Sequence, residues 1–231
     1  MNPQSCIVPV LAIDEAGHIQ HFLGTGFFVQ KDHLLLTADH VIRDWSGQIA
    51  VVLLSDLSTL FPANVVHRDQ QHDIAILFVP GCKAPQPLSI VTEHNPNKFV
   101  VCFEYGTTRV AGKNIRFSPA TRIGNITRSI DVQDMLGPAG DDALELSFPA
   151  LKGASGAPVL SNDTAFALHG MVVSNVSYHL LPVQIESVID NGAKTEEHIS
   201  YMLPQALAVN SKHVLTAIAA ASALPGSPFA G

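Results

Sequence analysis

Three short stretches each carry a group suited to nucleophilic chemistry: Leu36-Thr37-Ala38-Asp39-His40, His72-Asp73-Ile74-Ala75-Ile76-Leu77 and Gly153-Ala154-Ser155-Gly156-Ala157-Pro158. A serine hydroxyl is a poor nucleophile. To attack a carbonyl it needs an imidazole to take its proton, a carboxylate to orient that imidazole, and backbone amides aimed at the oxyanion it creates. The small residues around Ser155 let the chain turn sharply enough to bring such amides round. Taken singly, each stretch also has an ordinary reading: a Gly-Ser turn, a polar histidine, and an aspartate in the turn before a strand.

Their surroundings add weight. His40 follows an apolar run and precedes Val41-Ile42-Arg43-Asp44-Trp45, enough for one helical turn, so its imidazole is expected at the edge of a packed lobe, fixed yet near water. Asp73 opens a buried strand, where an unpaired carboxylate is costly and an imidazole N–H is a natural partner. Ser155 does not fit the nucleophile elbow of α/β-hydrolases, because Ala157 stands where that motif has glycine and Pro158 bars a helix. His18, His21, His67, His94, His179, His198 and His213 read as ordinary surface or core residues.

The elements that must position these groups are short apolar runs between turn signals, the pattern of a sandwich or barrel. Runs at 27–29, 34–37, 49–54, 63–66 and 74–79 are read as strands of a first lobe, residues 1–90. Pro80, Gly81, Pro85, Pro87 and the stretch 93–98 form a connector. A second lobe, 98–205, has strands expected at 99–103, 120–123, 126–130, 143–147, 158–160, 165–174 and 199–203, with a loop over 137–142. After Pro204, Val214, Leu215, Ile218 and Ala221 share a helical face, predicting a helix over 212–222 with Ser211 as N-cap, then a mobile tail within the terminal segment 206–231.

Composition narrows the function classes. Of the 231 residues 47% are hydrophobic and 14% charged, which excludes a disordered chain. A net charge of -7 with scattered Lys and Arg argues against nucleic acid as a partner. No apolar run approaches the roughly eighteen residues a membrane helix needs, and the amino terminus lacks the basic flank and long apolar core of a secretory signal. Cys6, Cys82 and Cys102 have no metal-ligand spacing. They are expected as buried free thiols, with one bridge between two of them as the alternative, and the location expected is cytoplasmic unless a leader has been removed.

With these residues in view, the chain resembles the chymotrypsin/trypsin-like serine peptidases, and in pattern their bacterial HtrA/Deg-like single-domain members. The stretch 36–40 is similar to the family's Leu-Thr-Ala-x-His, 72–77 to its Asp-Ile-Ala-Leu strand, 153–158 to Gly-x-Ser-Gly-Gly-Pro, and Gly24-Thr25-Gly26-Phe27 to the Gly-(Ser/Thr)-Gly-Phe strand before the histidine. The order His, Asp, Ser separates this family from α/β-hydrolases and subtilisins. The resemblance implies an all-β fold of two six-stranded barrels with a C-terminal helix, His40 as general base, Asp73 as its orienting group, Ser155 as nucleophile, and the amides of Gly153 and Ser155 as oxyanion hole. It also implies a primary pocket with one wall at 148–152, including Pro149 and Leu151, and a facing wall at Ser174, Asn175 and Val176. Ser174 further matches a family serine that touches the triad aspartate.

Departures from the family pattern are equally informative. Ala154 stands where trypsin-like zymogens keep the aspartate that pairs with a freed amino terminus, so that activation route is not expected. Val41 replaces the cysteine after the histidine, and Ala157 adds a methyl beside the active-site turn. Too few residues follow 222 for a PDZ-like domain, so a full HtrA architecture is not expected. With no acidic residue on either pocket wall, a small or medium apolar side chain is expected before the scissile bond.

The activity expected is that of a serine endopeptidase working through an acyl-enzyme, with no cofactor or metal, on a protein or peptide substrate. A regulatory protein partner is left open, and neither nucleic acid nor membrane is expected as a partner. The imidazole must be neutral to act as base, so activity should rise with pH through roughly 6 to 7.5. The alternative is a catalytically silent or partner-gated interaction module on the same barrels. An esterase using the same acyl chemistry is the third reading.

Overall fold

Apolar strands close twice on themselves in the computed structural model, which describes residues 2–84, 87–93, 95–111, 114–130, 142–179, 184–190, 193–199 and 202–230. A 3₁₀ turn at Pro3–Cys6 leads into β1 (Ile7–Ile13), followed by β2 (Ile19–Phe28), β3 (Leu34–Ala38), the short helix α1 (Asp39–Arg43), β4 (Gln48–Leu53), β5 (Asp56–Asp69) and β6 (Ile74–Phe78). These six strands form a closed antiparallel barrel in the order β1-β2-β3-β6-β5-β4. The second half adds β7 (Phe99–Glu104), the hairpin β8 (Arg109–Ala111) and β9 (Asn114–Arg116), then β10 (Ala120–Ile130), β11 (Ala143–Leu146), β12 (Pro158–Ser161) and β13 (Leu168–His179). A pair β14 (Gln184–Asp190) and β15 (Ala193–Ile199), the long β16 (Met202–Asn210) and helix α2 (Ser211–Ala223) complete it. The second closed barrel runs β10-β11-β16-β13-β12-β7. Closure pairs both edges of every strand within each barrel.

The two six-stranded barrels and the C-terminal helix agree with the expected fold. β1 carries no signal that period-2 reading can find: all seven of its residues are buried, and Pro9 sits among them. A strand buried on both faces shows a continuous apolar run rather than alternation. The runs at 120–123 and 126–130 are one strand, β10, which passes through Gly124. Of the strand expected at 199–203, Ile199 ends β15 and Met202 opens β16, which continues through Pro204 to Asn210; residues 200 and 201 lie outside the described residues. Pro204 lies opposite Ser177 in the ribbon that β13 and β16 form beyond the barrel body. The expected loop lies outside the described residues except for Asp142.

The connector joins the barrels by hydrogen bonds as well as by chain. Leu88 donates to Phe28 O at 3.0 Å, and its carbonyl accepts from Gln30 N at 3.1 Å. Ser89 O accepts from Leu168 N at 2.8 Å, and Val91 N donates to Leu168 O at 3.1 Å. One core cluster therefore spans both halves, from Ile7, Phe27 and Ile76 to Tyr105, Leu168 and Met171, while Val100, Ile126, Leu146 and Val159 fill the second barrel.

Helix α2 packs on β5 and β6 of the first barrel and on β13 and β16 of the second. It buries Val214, Ala217, Ile218 and Ala221, so Ala217 completes the face on which Leu215 was expected. Its N-cap is Asn210 rather than Ser211: the Asn210 side chain accepts from Lys212 N at 3.0 Å, and the Ser211 hydroxyl is instead turned to Val91 O. The tail after the helix, expected as mobile, makes defined contacts through Phe229. Phe229 is 2% exposed, its ring stacks on His33 at 6.0 Å, and its carbonyl accepts from Lys31 Nζ at 2.9 Å. The aromatic ring outweighs the turn-forming residues around it because it finds an apolar seat. The three cysteines are free and buried; burial pushes the thiols of Cys6 and Cys82 up to about 12 and about 11 and raises that of Cys102 further. No helix among the described residues is long and apolar enough to cross a membrane.

Candidate active site

α1 begins where β3 ends, and that junction places His40. A five-residue helix has no independent stability, so its first turn must be held from outside. Asp73 does this with three acceptor contacts: its carbonyl accepts from Asp39 N at 3.0 Å, and its carboxylate accepts from His40 N at 2.8 Å and from His40 Nδ1 at 2.6 Å. Asp73 adopts φ 56 to reach this position, a left-handed conformation that Asp tolerates better than most residues. Its side chain is 2% exposed whereas that of His40 is 32% exposed. The imidazole is thereby held by a buried acceptor at Nδ1, which leaves Nε2 for another group.

A second buried carboxylate anchors the same helix from the other side. Asp39 is fully buried and takes a bidentate bond from Arg68 on β5, with Nε–Oδ1 at 2.5 Å and Nη2–Oδ2 at 3.1 Å. The Asp39 hydrogen bond holds the guanidinium above its ordinary range.

Ser155 lies in the turn before β12, on the second barrel, and that turn is fitted into the first barrel by its glycines. A Cβ on Gly156, at φ 84, would meet Thr25 O at 2.0 Å and Thr37 Oγ1 at 2.4 Å; one on Gly153, at φ 91, would meet Phe22 Cε1 at 2.5 Å. Backbone blocks any side chain at Gly156, one at Gly153 would displace the Phe22 ring, and both dihedrals favour glycine. The Ser155 turn is thus seated against Thr37 and Ala38, the residues that lead into His40. Ala157 is fully buried in the second core, so its methyl is accommodated there and away from the cleft.

Thr25 on β2 locks this arrangement. It is fully buried, and its hydroxyl donates to Gly153 O at 3.0 Å and accepts from Tyr105 N at 3.1 Å. Its amide donates to Ser155 O at 3.0 Å, and its carbonyl accepts from Thr37 Oγ1 at 2.7 Å. One threonine therefore touches the turn, the strand leading to His40 and the end of β7. Around Ser155, Ala154 N donates to Leu151 O and Gly156 N to Val172 O. The amides of Gly153 and Ser155 donate no hydrogen bond among the described residues, and neither does the Ser155 hydroxyl.

The segments carrying Pro149 and Leu151 and those carrying Ser174 and Val176 are joined by Asn175, whose side chain bonds both backbone groups of Ala150 at 2.8 Å. Pro149 and Val176 are half-buried and Leu151 is exposed. Ser174 departs from its expected contact: its Oγ is buried with no hydrogen-bond partner, so it does not bond Asp73. On the other side of the turn, a groove of about 320 Å³ is lined by His21, Phe22, Gly106, Thr108, Lys152 and Gly153.

Sequence reading did not anticipate the roles of Thr25, Asp39 and Arg68. Thr25 stands as the polar residue between Gly24 and Gly26 in the buried half of β2, and that is its local sign of a buried hydroxyl with work to do. The Asp39–Arg68 pair is separated by 29 residues and has no local sign at all.

Two antiparallel barrels, a His–Asp pair on one and a Gly-Ala-Ser-Gly turn on the other, define the chymotrypsin-like class of fold. Residues 24–171 match the trypsin-like peptidase domain, and the chain belongs to that family. The uncharacterized protein y4bJ of Sinorhizobium fredii is 29% identical over 155 residues, covering 66% of this chain and 22% of that protein; the chain thus spans less than a quarter of this curated relative. Among solved structures, Rv3671c of M. tuberculosis, as an inactive form of a serine-to-alanine mutant, superposes with a TM-score of 0.61 at 20% identity, covering 96% of this chain and 90% of that one. The HtrA-type protease AlgW with tripeptide gives 0.60 at 15% identity over 92% of this chain and 58% of that one. The MamO protease domain of Magnetospirillum magneticum gives 0.61 at 15% identity, over 93% and 96%.

Proposed function

We propose that the protein is a serine endopeptidase that hydrolyses peptide bonds of a protein or peptide substrate through an acyl-enzyme. Ser155 Oγ attacks the carbonyl as His40 Nε2 takes its proton, and the amides of Gly153 and Ser155 receive the oxyanion. His40 then returns the proton to the leaving amine, and water repeats the sequence on the ester. Asp73 keeps the imidazole in the tautomer this requires. The observation that carries the reading is the 2.6 Å bond from His40 Nδ1 to a buried Asp73, set beside a glycine-flanked serine turn with uncommitted amides.

Replacing Ser155 with alanine is expected to lower turnover about 10⁴- to 10⁶-fold with the fold intact. A fluorophosphonate should label Ser155 in the wild type and nothing in Ser155→Ala; a wild type unlabelled both alone and with partner or substrate peptide present would sink the reading. Among the described residues the Ser155 hydroxyl makes no hydrogen bond, which also favours a partner-gated form of the same enzyme. Labelling that appears only with a partner or substrate peptide present would identify that form, since catalytic hydrogen bonds often tighten on binding.

A further inference from the structure

Two chain segments part beside Ser155 and meet again a few residues away. At one end Gly156 N donates to Val172 O at 2.8 Å and Val172 N to Ala157 O at 2.9 Å. At the other, Ala150 N donates to Asn175 Oδ1 and Asn175 Nδ2 to Ala150 O, both at 2.8 Å. Residues 150–156 and 172–175 therefore bound a ring with Ser155 on its rim. A carboxamide presents its donor and acceptor much as a peptide group does, so Asn175 satisfies Ala150 as a neighbouring strand would. Asn175 is exposed, so water can compete for both bonds and the clasp can open. On the same ring, Ser174 Oγ is buried without a hydrogen-bond partner.

We infer that Asn175 is a specificity-determining residue: its clasp on Ala150 narrows the space beside Ser155, so that the residue on the acyl side of the scissile bond must carry a small side chain such as that of alanine or serine. The inference rests on the peptidase reading and tightens the size limit of the small-or-medium expectation without requiring an apolar side chain. The acyl side is assigned because the ring is built wholly from the second barrel, whereas the leaving amine must face His40 on the first. A larger side chain would have to open both hydrogen bonds and leave the Ala150 groups to water.

The test compares kcat/KM on peptides that vary only in the residue before the scissile bond, for wild type, Asn175→Ala and Asn175→Asp. Asn175→Asp keeps the volume but sets a carboxylate against Ala150 O. Wild type should prefer alanine or serine over leucine and phenylalanine, and both variants should shift the phenylalanine-to-alanine ratio upward by about tenfold or more. An unchanged ratio, or a wild type that already prefers phenylalanine, overturns the inference. A readout without turnover uses N-acetyl-phenylalanine amide titrated into Ser155→Ala, followed at the amide resonances of residues 150 and 175. Those resonances should move only when Asn175→Ala is also present; equal movement in both backgrounds overturns the inference. Absent fluorophosphonate labelling in every protein would instead overturn the peptidase reading while leaving this binding result to decide the clasp.

Discussion

Asp73 does three things at once, and each follows from one left-handed backbone conformation. Its carbonyl and one carboxylate oxygen satisfy the first amides of α1, while the second oxygen holds His40 Nδ1. Asparagine also tolerates positive φ and can accept through one oxygen, but its NH₂ cannot accept from an imidazole N–H. Asp73→Asn should therefore keep the fold and lose about 10⁴-fold in kcat, by favouring the wrong imidazole tautomer. Peptide turnover beside a thermal melt checks this; full activity with an unchanged melt would remove Asp73 from the mechanism.

At the scale of elements, the short helix α1 and the Ser155 turn are both held by residues outside them. Asp73 and the Asp39–Arg68 pair fasten the helix, and Thr25 fastens the turn to the strand leading to His40. Thr25→Val keeps the shape but leaves Gly153 O and Tyr105 N without their buried partner. It should cost about 1–3 kcal/mol of stability in denaturant unfolding. Because Gly153 then loses its tether, kcat should fall by more than KM rises; a stability loss with unaltered kinetics would make Thr25 purely structural.

At the scale of the molecule, groups far apart in sequence fasten the second barrel within itself and the tail to the first barrel. Glu145 on β11 is 6% exposed; burial alone would raise its pKa, but hydrogen bonds from Thr127, Tyr178 and the Arg128 guanidinium outweigh that and hold it below the ordinary carboxylate range. A carboxyl with a folded pKa below its unfolded value contributes stability above the unfolded value, and that contribution is lost as pH falls toward the folded one. The stability difference between wild type and Glu145→Gln should accordingly be largest near neutrality and shrink on acidification through the carboxylate range. Denaturant titrations at stepped pH would show it, and a difference independent of pH would refute it. Phe229→Ala should lower stability by about 2 kcal/mol, the value of burying a phenylalanine ring. A mobile tail would predict no change in the melt.

How much of this was legible beforehand depends on the range of the interaction. His40, Asp73 and Ser155 stand in stretches whose neighbours state their local setting, and most strands show as short apolar runs because alternation and turn residues are local properties. The chain order of the three groups carried the fold class as well. β1, the continuation of β16 past Pro204, the Asn210 cap and the docked tail were decided by what packs against them, which no window of neighbouring residues contains. The same is true of Thr25 reaching Gly153 across 128 positions, of Arg68 on Asp39, and of Asn175 closing on Ala150. The sequence by itself determined which groups could react. Tertiary structure decided how they are held, because that depends on hydrogen bonds between segments that only folding brings within reach.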